Sequence, residues 1–399
     1  MKEKKWDLFA LASIPLLMTL GNSMLIPVLP IMEKEIEITS FQSSLIITIY
    51  SIIAIPLIPI SGYLSDKWGR KKVIIPCLII VGIGGALAAF AAWKVENPLM
   101  LILIGRFIQG VGASGAFPVV IPTVGDMFKE EEEVSKGLGI IETANTFGKV
   151  LSPVLGALLA VILWFIPFVA IPVLALIAIL LVMILVKVPK EEQQEETHTF
   201  KEFLHMIKDL FKKNSHWLSA IFISGGIFMF VLFGFLFHFS NLLEDEYKKF
   251  GYIKGLLLAV PLLFLCAASY IAGSKVGQNK KAMKNLILIG HAIASIALIF
   301  VQGELLIRYL LLLSIAGVGI GLALPCLDAY ITEGTPKEER GTITSLYSSM
   351  RFVGVAAGPP VIAVMMKSTP TWIYYLFAIL CLIGFFINWW AIKPDEQDG

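Results

Sequence analysis

Apolar runs of about 20 or more residues recur twelve times along this chain, and no other feature restricts its fold so severely. They cover approximately 8–32, 42–64, 73–93, 98–121, 136–163, 167–187, 216–241, 253–273, 284–302, 307–328, 341–366 and 371–392. Each is long enough to cross a bilayer as a helix. With 57% hydrophobic and 16% charged residues and a mean hydropathy of +0.81, a soluble chain of 399 residues could not hide its apolar surface. The expected class is an all-α polytopic membrane protein with twelve transmembrane helices. Lys2, Lys4 and Lys5 precede a first run too long for a signal-peptide core, so that run is expected to stay as the first span. The four cysteines, Cys77, Cys266, Cys326 and Cys381, lie inside apolar runs without metal-ligand spacing, which suits small buried hydrophobes. Neither a metal nor a cofactor is expected.

Basic residues orient the spans. With both termini cytoplasmic, the inner segments hold 22 Lys and Arg and the outer segments 7, counting Lys254 among the outer ones. That bias follows the positive-inside rule. The strongest anchor is Gly62–Lys72, GYLSDKWGRKK, which reads as a short cytoplasmic turn with Gly62 and Gly69 supplying its tight bends. The long polar segment is 188–215, a Gln/Glu tract followed by Phe200, Phe203, Leu204, Ile207, Leu210 and Phe211 at helical spacing. It reads as a cytoplasmic linker ending in an amphipathic helix on the membrane surface. The linker separates a six-helix bundle at 1–187 from a second at 216–399.

The two halves repeat each other. GVGASGAFP at Gly110–Pro118 answers GVGIGLALP at Gly317–Pro325, an offset of 207 residues that also carries Asp126 onto Glu333. SPVLG at Ser152–Gly156 answers GPPVI at Gly358–Ile362, and GSKVGQNKK at Gly273–Lys281 is a worn copy of the 62–72 segment. Two pseudo-symmetric bundles with a site at their interface are the mark of secondary transporters.

These motifs resemble the major facilitator superfamily over essentially the whole chain. GYLSDKWGRKK matches its signature between spans two and three, and LIGRFIQGVGAS (Leu103–Ser114) its fourth-span motif. GKVLSPVLGA (Gly148–Ala157) resembles the fifth-span motif GxxxGPxxGG of its antiporters, with Ser152 and Ala157 in place of glycines. The resemblance implies the twelve-span drug–proton antiporter branch, and the wording of the N-terminal half is similar to bacterial siderophore exporters of the bacillibactin type. It implies a cytoplasmic latch made by Gly62, Asp66, Gly69 and Arg70 with Asp126, and proton coupling at Arg106. It also implies that Gly148, Pro153 and Gly156 pack helices closely and gate the cytoplasmic entrance.

The residues carry their own chemistry. A central arginine in a span costs about 2.5–3.5 kcal/mol unless it faces protein or water, so Arg106 should point inward. A competing reading makes it a structural arginine that binds backbone carbonyls between helices. Glu142, Asn145 and Lys149 fall on one helix face at i, i+3 and i+7. Glu142 is the candidate proton carrier, and its competing reading is a solvated group near the cytoplasmic end. Asn22, Asn145, Lys149, Ser348 and Arg351 are candidate substrate-cavity groups, with Asp328 near the inner end of span ten. More embedded cations than anions suit an anionic or hydrogen-bond-rich substrate, in agreement with a catecholate siderophore. No GxxxxGK[ST] and no nucleophile–base pair is present, so an enzyme is not expected. The expectation is a monomeric exporter in the bacterial inner membrane whose partners are a small molecule, protons and lipid, without nucleic acid. Broad multidrug efflux, a lipid flippase and a non-transporting sensor are the alternatives.

Overall fold

A computed structural model describes residues 4–128, 131–186, 215–277, 279–303, 305–335 and 337–394. Among these residues no strand occurs, and twelve helical segments are long and apolar enough to cross a membrane. They are Lys5–Glu35, Ser40–Trp68, Arg70–Lys94, Leu99–Met127, Lys136–Ile162 and Ile166–Leu185, then His216–Asp245, Gly251–Val276, Lys280–Ile299, Leu306–Gly334, Arg340–Ser368 and Pro370–Ala391. The chain clusters into two compact units, Met1–Phe203 and Leu204–Gly399. The expected linker and its amphipathic helix, apart from Ser215, lie outside the described residues.

Each unit repeats one packing plan. In the first, the fourth span packs on the second and third, the third on the sixth, and the first on the fifth and sixth. In the second, the tenth packs on the eighth and ninth, the ninth on the twelfth, and the seventh on the eleventh and twelfth. Without a hydrophobic drive between helices in lipid, such contacts depend on small residues that admit close backbones. The repeated GVG motif does this twice. A Cβ on Gly110 would lie 2.5 Å from the Tyr50 carbonyl of the second span, and one on Gly317 would lie 2.5 Å from the Pro261 carbonyl of the eighth. Gly112 and Gly319 do the same toward the third and ninth spans, against the carbonyls of Cys77 and Gly290.

Lipid-facing surfaces are apolar, with Met100 and Ile184 among the most exposed side chains. Six exposed tryptophans, Trp6, Trp68, Trp93, Trp372, Trp389 and Trp390, all lie at span ends, where an amphipathic ring sits at the headgroup level.

Two expectations need correction, and the repeat itself is uneven. The 62–72 segment is not a turn: the second helix runs unbroken to Trp68, with Gly62 in its interior, and the third begins at Arg70. Gly69 alone makes the bend, at φ +95°, a conformation in which a Cβ would be strained. The worn copy keeps this device, since Gly277 ends the eighth span at φ +52° and Asn279 caps the ninth. Lys254, counted above as an outer-loop residue, is buried inside the second unit. Finally, the repeated proline behaves differently in the two halves. The fourth span is interrupted between Ala116 and Val120, around Pro118, whereas the tenth is one helix across Pro325.

Candidate functional site

The fourth span delivers Arg106 and Gln109, three residues apart, to the centre of the first unit. Arg106 is fully buried. Its Nε donates to the Ile46 carbonyl at 2.8 Å, one terminal nitrogen to Gln109 Oε1 at 2.5 Å, and the other to Asn22 Oδ1 of the first span. The guanidinium carbon lies 4.4 Å from the centroid of the Tyr50 ring. Ile46 and Tyr50 sit one helical turn apart on the second span, so a single turn supplies both a carbonyl and an aromatic face. Gly110, pressed against the Tyr50 carbonyl, lets the fourth span approach that turn closely. Among the described residues no carboxylate pairs with Arg106, and its charge is met by neutral dipoles and a ring quadrupole. The carbonyl contact of the structural reading is present, but side chains from three spans converge on the same group.

The fifth span supplies a second polar chain. Thr19 Oγ1 donates to Asn145 Oδ1 at 2.6 Å, and Asn145 Nδ2 donates to the two Glu142 oxygens at 3.3 and 3.2 Å. Thr146 Oγ1 adds a 3.4 Å contact to the same carboxylate. The helix carrying Glu142 starts at Glu131, so Glu142 lies three turns in, about 16 Å from its beginning. Lys149 is buried one turn beyond Asn145. Asn22, an expected cavity group, bonds Arg106, and Asn145, another, bonds Thr19 and Glu142. Thr19, Tyr50 and the Ile46 carbonyl join these networks without having been named from the sequence. A polar residue three positions before Asn22 in an apolar span was the available signal for Thr19.

Beside this chain, Gly148 and Gly156 seat the fifth span on the first. A Cβ on Gly148 would lie 3.1 Å from the Leu16 carbonyl, and one on Gly156 would overlap the Met24 carbonyl. Pro153 lies between them in the unbroken helix. Replacing Gly156 by alanine forces the two backbones apart, so a loss of about 1–3 kcal/mol is expected. A melting curve of the purified variant measures it, and an unshifted midpoint would contradict the close approach.

At the other end of the unit, Arg70 joins two helices. Its Nε donates to Asp126 Oδ2 at 2.7 Å, and Nη1 donates to Ser65 Oγ at 2.7 Å and to Asp66 Oδ1. Gly69 places Arg70 at the first position of the third span, facing back across the bend to Ser65 and Asp66. The structure thus brings together Asp66, Gly69, Arg70 and Asp126, and leaves Gly62 inside the helix.

The described residues of the second unit include two ion pairs. Arg351 Nη1 lies 3.6 Å from Asp328 Oδ1, with the guanidinium 5.7 Å from the Tyr347 ring, and Ser348 is half-buried on the same helix. Lys254 Nζ donates to Glu244 Oε2 at 2.8 Å, with side chains 1% and 3% exposed. Neither Lys254 nor Glu244 was foreseen. Near the corresponding helix ends of the first unit, Glu33 accepts from Ser40 and Ser43 at 2.6 Å each.

A sequence profile of the Major Facilitator Superfamily matches residues 11–359, and a second match covers 286–399. The Bacillibactin exporter of Bacillus subtilis (strain 168) is 53% identical over 395 residues, spanning 98% of each chain. Multidrug resistance protein 2 of the same organism is 24% identical over 389 residues, 94% of this chain and 93% of that one. The crystal structure of the human organic anion transporter MFSD10 (TETRAN) superposes with a TM-score of 0.74, covering 96% of this chain and 99% of that one. Its 18% identity makes this a likeness of fold.

Proposed function

The chain belongs to the major facilitator superfamily, and from that premise we propose that it is a proton-coupled exporter of a small amphipathic anion, a catecholate siderophore. The carrying observation is its likeness, along nearly its full length, to a protein named as a bacillibactin exporter. The polar groups are consistent with such cargo. Arg351 and Lys254 each have an acidic partner, while every contact of the buried Arg106 is to a neutral group. An inward-facing cation of this kind favours an anionic or hydrogen-bond-rich ligand.

In this reading Glu142 takes up and releases the proton, and Arg106 responds to its charge. Asn22, Asn145, Lys149, Ser348 and Arg351 border the path of the substrate. Asp66, Arg70 and Asp126 form a latch that breaks and re-forms as the two halves, 1–187 and 216–399, rock. Both termini face the cytoplasm of a bacterial cell and the protein acts as a monomer in its inner membrane. Once Lys254 is counted as buried, the outer segments hold only 6 basic residues against 22 inside, which supports that orientation. The protein carries out no covalent chemistry.

Two measurements test this. Deleting the gene is expected to abolish secretion of catecholate siderophore into iron-poor medium, and unchanged secretion would sink the substrate assignment. In inverted vesicles Glu142→Gln is expected to lose pH-driven uptake while remaining folded. The similarity to a multidrug resistance protein favours broad drug efflux as the second reading. Drug tolerance that falls while siderophore secretion persists would select it.

A further inference from the structure

Arg106 and Glu142 do not touch among the described residues; what joins them is one face of the first span. Asn22 on that face binds Arg106, and Thr19, three residues earlier and hence on the same side, binds Asn145, which binds Glu142. The fifth span grips the stretch from both directions, Gly148 against the Leu16 carbonyl and Gly156 against the Met24 carbonyl. Between them Ser152 Oγ reaches the Thr19 carbonyl at 3.3 Å. Immediately beyond Asn22 the helix ends at Ser23 and gives way to a short 3-10 turn at Ile26–Val28.

We propose that Thr19 is a positioning residue for proton coupling: through the Asn145 amide it senses the protonation state of Glu142, and the first span passes that state to Arg106. The inference rests on the proton-carrier role proposed above for Glu142. Its physical basis is the hydroxyl, which can donate or accept. With Glu142 ionised, the carboxylate accepts from Asn145 Nδ2, leaving Oδ1 to accept from Thr19, as observed. When a proton from water neutralises the carboxylate, the acid becomes an O–H donor, and the amide is best satisfied by turning over. Asn145 then offers Oδ1 to Glu142 and Nδ2 to Thr19, whose oxygen accepts. The Thr19 hydrogen turns to a carbonyl one helical turn back, a bond that helical threonines commonly make. Two hydrogen-bond arrangements of one chain thus correspond to two charge states of one acid.

Other charged groups stand on the neighbouring elements. On the elements packed against the fifth span, charged groups occur at the ends of the first (Lys5, Asp7, Glu33, Lys34 and Glu35) and at Asp126. The sixth span carries none. On the fifth itself, Glu133 and Lys136 precede Glu142 by more than a turn, and Lys149 follows it by two.

The test needs no substrate, so its outcome is independent of what the protein exports. Wild-type protein and the Thr19→Val, Thr19→Ser and Glu142→Gln variants are reconstituted in lipid vesicles. Their protonated-carboxyl stretch is then titrated by infrared difference spectroscopy. Glu142→Gln should remove one titrating band. Thr19→Val should displace the midpoint of that band by about one pH unit, the scale of a single hydrogen bond. Thr19→Ser should restore it. A Val variant that titrates like wild type, or a Ser variant that titrates like Val, overturns the proposal. So does a Gln variant that loses no band, since Glu142 would then not be the carrier. Should the Val variant not fold, Thr19→Ala carries the same expectation and the same refutation.

Discussion

Replacing Lys254 by methionine is expected to destabilise the second unit by about 3–5 kcal/mol, because Glu244 would be left as a desolvated charge without its lysine. Both side chains are almost fully buried and their bond is 2.8 Å. The double replacement Lys254→Met with Glu244→Leu should recover most of the loss. Removing both charges also removes both desolvation penalties, and a buried ion pair is often no better than apolar packing of similar volume. Thermal melting of the three variants in detergent gives the result as a double-mutant cycle. A single variant as stable as wild type, or a double variant no better than the single, would mean that the pair is not the desolvated contact described here.

A different outcome is expected at Arg106, where transport should fail without collapse of the fold. Replacement by methionine leaves Asn22 and Gln109 each with an unsatisfied oxygen, at about 1–3 kcal/mol apiece. It also removes a charge whose presence at the membrane centre costs about 2.5–3.5 kcal/mol. These terms oppose each other, so the melting temperature should move little. The informative variant is Arg106→Lys, which keeps the charge. An ammonium cannot lie flat on the Tyr50 ring and at the same time reach the Ile46 carbonyl, Gln109 and Asn22, which lie on three helices. Uptake driven by a pH gradient in vesicles should therefore fall at least about tenfold in both variants, equivalent to ~1.4 kcal/mol in the barrier. Wild-type rates in Arg106→Lys would show that charge alone suffices and that the planar geometry is incidental.

Much of the site could be read from the sequence as a set of unusual residues, but few of the contacts could. Arg106, Glu142, Asn22 and Asn145 stood out because a polar group in an apolar span needs a reason. That Asn22 serves Arg106, and Asn145 serves Glu142 and Thr19, could not be read. Those pairings depend on how three helices are rotated about their axes, and a helix can turn by one residue without any change in its hydropathy. Thr19 was passed over because a threonine can satisfy its hydroxyl within its own helix, so its spacing from Asn22 is a weak signal in an apolar run. Lys254 was misplaced because it stands only four positions beyond the loop residue Phe250, and a lysine there ordinarily reaches to the headgroups. The facing Glu244 helps to make its burial tolerable.

The sequence by itself determined the class, the twelve spans, the internal repeat and the two-half plan. Bilayer thickness imposes a length on every span, and duplication leaves the same motif at the same offset. It also marked Gly69 and Arg70, although as a loop rather than as a single-residue bend between two helices. Only the tertiary structure decided which helix faces meet. It thereby paired Arg70 with Asp126 and Lys254 with Glu244, and made the first span the bridge from Arg106 to Glu142. The physical reason is that lipid and protein interior are equally apolar to the side chains that distinguish them. Rotation about a helix axis is therefore set by glycine contacts and a few polar bonds, and these exist only once the helices are side by side.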